Sequence, residues 1–202
     1  MKLYKLTDAN DQTYGGCQWG ENVEHTASGE GDLCDAGWLH AYTDPLLAVL
    51  LNPIHANVTR PHLWEAEGEV GKEHHGLKVG CTKLRTLRRV SLPQVTPEQR
   101  VRFGILCTKQ IYDEPNWNAW ADKWLSGKDR SKEAAWTARA AAAAAEAAWT
   151  AAAAAARAAA WAAWASAAAV PRAAARAAVR ATARATNLDL AGLARQAVET
   201  ES

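Results

Sequence analysis

Hydrophobic residues alternate with polar ones over residues 1–92 and then switch to a helical period. Leu3–Thr7 alternates and predicts a first strand, closed by the turn residues Asp8-Ala9-Asn10. Gln12–Trp19 predicts a partner for that strand, and Asn22–Ala27 a further short one. SGEGDLCDAG is a loop, after which Trp38–Tyr42 resumes an extended pattern. Thr43 or Asp44 caps a short helix with Pro45 in its first turn, which turns Leu46, Leu47, Val49 and Leu50 inward. His62–Val70 alternates again, with Glu65, Glu67 and Glu69 on one face and Trp64, Ala66 and Val70 on the other. GKEHHG reads as a loop, and Leu77–Leu92 as one or two strands whose Lys83, Arg85, Arg88 and Arg89 face the glutamate row.

From Thr96 the period is helical. Thr96-Pro97-Glu98-Gln99 is a capping box with Pro at the first helical position, and Val101, Ile105 and Leu106 supply the inward side. Glu114-Pro115 opens a second helix whose Trp117, Trp120 and Trp124 form a stripe, read as core and otherwise as a stacking platform. Gly127 closes it. From Ser131 to Thr186 the chain is almost all alanine, broken by Trp and Arg, with no glycine. Alanine has the highest helix propensity, so the run predicts one long, nearly straight helix over 131–170. One arc of about 140° gathers Trp136, Arg139, Glu146, Trp149, Arg157, Trp161 and Trp164. Pro171 ends or kinks this rod. Beyond it Arg172, Arg176, Arg180 and Arg184 recur every four residues along one ridge, either solvated or a basic strip for an anion. Asp189 caps a last helix through Val198.

These elements give an α+β protein: a small mixed head over 1–95, a helical connector over 96–130, the long alanine-rich helix over 131–170 and Arg-ridged helices over 171–202. An alanine face permits very close helix packing, and a lone rod leaves it bare, so homo-oligomerisation is expected.

Charge refines the picture. Net charge is +1, but residues 134–186 hold six Arg against Glu146, whereas residues 1–133 hold 16 basic and 18 acidic side chains. That balance suits self-association or a small anionic ligand and makes nucleic acid a poor partner. Cys17, Cys34, Cys81 and Cys107 form no C-x-x-C pair and match no zinc framework, so no metal and no cofactor is expected, and reduced buried thiols in a cytoplasmic protein are the default. His74-His75 lacks a third ligand nearby. The N-terminus turns polar at once, which argues against a signal peptide. Arg139, Glu146 and Arg157 interrupt the alanine run, which argues against a membrane span.

GWLHAYTDPLLAVLLNP (Gly37–Pro53), LWEAEGEV (Leu63–Val70) and KLRTLRRV (Lys83–Val90) carry a resemblance. Together they are similar to an uncharacterised domain family encoded by bacteriophages, with a Gly–aromatic–His segment, a short helix, a glutamate-bearing strand and a basic strand. Here Leu39 is inserted before His40. The resemblance covers residues 1–92 and implies a phage accessory protein of the counter-defence type, often with an alanine-rich or repetitive C-terminal tail. It supplies no reaction.

Three functional readings follow. In the first, indole stacks on a base and guanidinium forks onto phosphate, so Trp136, Arg139, Trp149, Arg157, Trp161 and Trp164 bind and sequester a small phosphorylated nucleotide-like signal such as a cyclic nucleotide or an ADP-ribose derivative. The competing view of the same residues is that they fill a helix interface. In the second, a His/Tyr strand, a short helix and Glu-x-Glu resemble the order in ADP-ribosyltransferase-like folds, with His40, Tyr42, Glu65 and Glu67 as catalytic candidates. In the third, the helix only oligomerises.

Overall fold

The structure, a computed structural model, describes residues 1–146, 151–166, 168–183, 185 and 187–199. The chain divides into two units, Met1–Gln94 and Val95–Ser202.

In the first unit the alternating segments become strands. β1 (Lys2–Thr7) pairs antiparallel with β6 (His62–His74), which pairs with β7 (Lys78–Val90) in a long hairpin. The turn of that hairpin is the short His75–Leu77, in which His75 and Gly76 are at positive φ (47° and 71°). Two such residues match the right-handed twist of the flanking strands, so the segment expected as a loop is strand up to His74. β4 (Glu24–Thr26) and β5 (Leu39–Ala41) share the outer edge of β7. The residue after β5, Tyr42, exchanges both backbone hydrogen bonds with Tyr4 of β1 at 2.8 and 2.9 Å. The hydrogen-bonded ring β1–β6–β7–β5 thereby closes on itself around Leu3, Ala41, Ala66, Val79, Cys81, Leu84 and Trp19. Gln12–Trp19 does not extend β1. It forms its own small hairpin, β2 (Gln12–Thr13) with β3 (Cys17–Gln18). The helix expected after Asp44 is α1 (Pro45–His55), its N-cap carboxylate accepting from the Leu46 N–H at 2.8 Å.

The register puts Glu65, Glu67 and Glu69 opposite Arg88, Arg85 and Lys83, as the charge pattern required. Register shifts between Glu69 and Val70 break the alternation there, and Val70 ends exposed rather than inward.

The second unit is all helix among the described residues: α2 (Pro97–Lys109), α3 (Pro115–Leu125), α4 (Lys132–Glu146), α5 (Ala151–Trp164), α6 (Val170–Thr182) and α7 (Leu190–Val198). The capping box at Thr96, the Glu114 cap and the Asp189 cap are all formed. Trp117, Trp120 and Trp124 are buried core, and the Trp117 indole N–H donates to the Ala156 carbonyl at 3.2 Å.

The single long rod is corrected. Among the described residues the alanine-rich run supplies three helices, and α4 packs antiparallel on α5, with Trp136 against Trp164 and Arg139 against Trp161. Propensity favours helix in each piece but says nothing about where a helix must stop. Folding back buries alanine faces that a rod leaves in water: Ala155, Ala156, Ala159 and Ala160 on α5, and Ala174, Ala177 and Ala178 on α6. Pro171 sits in the first turn of α6, where its missing N–H costs nothing, rather than ending α5. α2 meets α6 at Gly104, where an added Cβ would lie 3.3 Å from both the Ala174 Cα and the Ala177 Cβ.

Candidate functional site

Fold-back assembles a site that no single helix carries. α4 contributes Arg139, α5 contributes Arg157 and Trp161, and α6 contributes Arg172, Arg176 and Arg180 to one cleft of about 360 Å³. Ala158, Ala168, Ala169 and Ala173 line the rest of it, and no acidic side chain among the described residues does. The four-residue spacing on α6 turns its three arginines the same way. Methyl side chains between them leave the room the guanidinium groups occupy. Arg139 lies 4.7 Å from the Trp161 ring and 4.8 Å from the Trp136 ring, a cation–π sandwich that fixes its direction. Arg180 is held by donating to the Ala154 carbonyl at 2.9 Å. Among the described residues, Arg139, Arg172, Arg176 and Arg180 make no ion pair. Five like charges lining a concave surface focus a positive potential there, which an anion relieves.

The tryptophans divide. Trp161 lines the cleft, while Trp136 and Trp164 pack against each other with tilted rings (centroids 5.5 Å apart) and join α4 to α5. Trp149 lies outside the described residues. Arg172, Arg176 and Arg180 belong to the site although the helical arc did not include them. Their spacing was visible in the sequence, but their meeting with Arg139 and Arg157 depends on the turn before α6.

The enzymatic candidates are not gathered into one place. His40 and Tyr42 line a pocket of about 220 Å³ in the first unit with Lys5, His55 and Lys78. Glu65 is not among its lining residues and is paired instead with Lys2 (3.2 Å) and Arg88 (2.8 Å), whose hydrogen bonds hold its carboxyl below the usual range. Glu67 lines a separate surface groove with Glu24, Glu69, Lys83 and Arg85. Around His40, burial sets the chemistry. It lowers the His40 and His55 imidazoles, His55 to about 4, and raises the Tyr42 hydroxyl far above its ordinary value. It brings the Lys5 ammonium down to about 8. The signal for Lys5 was present: it falls between Leu3 and Thr7 on the buried face of an alternating strand.

His74 and His75 lie side by side at the hairpin tip, their rings tilted, with centroids 5.2 Å apart. Among the described residues, no group of three or more His, Cys, Asp or Glu is placed to hold a metal ion. No helix among them is long and apolar enough to cross a membrane.

Residues 1–98 match a family model described as a domain of unknown function, DUF7666. The match spans the closed sheet, α1 and the start of α2, and it includes residues 1–92, where the sequence resembles an uncharacterised domain family. The arginine cleft lies outside the DUF7666 match, on α4, α5 and α6. Comparison with curated proteins and with solved structures returns no match.

Proposed function

We propose that the helical unit binds a small phosphorylated, nucleotide-like ligand in the arginine cleft and holds it without converting it. The observation that carries this reading is the convergence of five arginines and Trp161 on one cleft with no acidic residue among its described lining. Guanidinium forks match phosphate oxygens in geometry and charge, and the Arg139–Trp161 stack offers a flat surface for a base. The described lining residues are Arg, Ala and Trp, which include no nucleophile and no general base, so binding rather than turnover suits them. A phage accessory protein that sequesters a host signal needs only this chemistry, and that role is part of the proposal. The cleft is complete within one chain, so self-association, which the uncovered rod had suggested, is not required for binding.

A thermal-shift screen of the full chain against cyclic dinucleotides and ADP-ribose derivatives tests the reading, because a ligand bound only by the native state raises its stability. At least one ligand is expected to raise the midpoint, and Arg157→Ala to abolish the shift. The ligand is expected back chemically intact after incubation. A shift that Arg157→Ala leaves unchanged, or recovery of a cleaved ligand, would overturn the proposal.

A further inference from the structure

The pocket lined by Lys5, His40, Tyr42, His55 and Lys78 is unexplained by the helical cleft. Two lysines line it, both almost fully buried, and no carboxylate does. The Lys5 ammonium donates to the His40 carbonyl at 2.8 Å and lies 4.8 Å from the Trp19 ring. Lys78 reaches only the Cys34 sulfur, at 3.5 Å. The titratable groups acting on Lys5 are Cys17 of β3 and Lys78 and Cys81 of β7. His40 and Tyr42 at β5 and His55 of α1 complete the wall. Of these Lys78 is the second cation, and its like charge disfavours the Lys5 ammonium. Two buried cations without a counter-charge are costly, and an anion placed between them removes that cost.

The neutral wall points the same way. Tyr42 and His55 face each other, hydroxyl oxygen to Nδ1, at 3.4 Å. A phenol and a neutral imidazole hold two polar hydrogens between them, and their mutual bond uses one. The other is left for a third partner, whichever tautomer is present. Thr13 and Tyr14 also border the pocket. The space, about 220 Å³, equals roughly seven waters at the volume each takes in the liquid.

We propose that this pocket of the first unit is an anion site that takes the oxyanion group, phosphate or carboxylate, of a small metabolite between Lys5 and Lys78. The Tyr42–His55 pair donates to the same oxyanion. The site is independent of the arginine cleft: it lies in the other unit and shares no residue with it.

The test follows Lys5 itself in the full chain carrying Arg172→Glu and Arg176→Glu, which disable the arginine cleft. With 13C- and 15N-labelled lysine, the Lys5 side-chain resonance, assigned with Lys5→Met, is titrated against pH with and without inorganic phosphate, and in a second arm with acetate. A bound anion is expected to raise the Lys5 midpoint by about one pH unit, a tenfold linkage. Lys78→Met, an apolar replacement of similar length, is expected to remove that rise. A rise with phosphate alone assigns a phosphate group, and a rise with acetate alone a carboxylate. A midpoint unmoved by either anion, or a rise that persists in Lys78→Met, overturns the proposal. Loss of binding in the arginine cleft bears on neither result.

Discussion

The residue scale is where charge and burial decide most. Arg172 and Arg176 are exposed, so replacing either with alanine is expected to leave unfolding unchanged within about 0.5 kcal/mol. Each loses charge-assisted bonds to phosphate, and affinity for the phosphorylated ligand is expected to fall about tenfold per arginine, measured by calorimetry. His55 gives a pH dependence of definite sign. Its pKa is about 4 in the folded protein, against 6.5 ordinarily, because burial disfavours the charged ring. Between those values the unfolded chain binds a proton that native His55 refuses. Stability present above pH 6.5 is therefore lost as pH falls toward 4, by up to about 3 kcal/mol. Urea midpoints of the first unit at pH 7 and pH 5 measure this. His55→Asn is expected to flatten the difference, and an equal slope in that variant would contradict the assignment. Trp117 is 1% exposed and makes the Ala156 bond, so Trp117→Ala is expected to cost about 3–5 kcal/mol in urea unfolding of the helical unit.

At the scale of elements, the signals that are local in physics were legible in the sequence. Thr96 with Gln99, Glu114 with Pro115, and Asp44 and Asp189 as caps all act within a few residues of themselves, and each does so here. The glutamate and basic rows of β6 and β7 were legible because strand period fixes both faces. Where a helix stops and turns back was not legible in the alanine run, since every position there has nearly the same propensity. The stop is decided by burial against α2, α3 and the neighbouring alanine helices. For the same reason the arc supplies only part of the cleft: Arg139, Arg157 and Trp161 line it, and Arg172, Arg176 and Arg180 join them only through fold-back. The close crossing of α2 and α6 at Gly104 carries its own consequence. A β-branched side chain there meets the Ala174 backbone, so Gly104→Val is expected to lower the helical unit's stability by about 1–3 kcal/mol, read by thermal unfolding.

For the whole molecule, two units of different construction share one chain. The first unit is a closed antiparallel sheet with a pocket of buried amines, and the described residues of the second form helices that pack through alanine and tryptophan. Alanine lets helices approach closely and leaves space that arginines fill, which turns a sequence of low complexity into a cleft of high positive charge. The most direct measurement is titration calorimetry of the full chain with a cyclic dinucleotide or ADP-ribose derivative selected by the thermal-shift screen, repeated on Arg172→Glu/Arg176→Glu. Saturable binding that weakens as salt is raised and disappears in the double variant is the predicted result. Binding of equal strength in the double variant, or no heat from any phosphorylated nucleotide, would contradict the account.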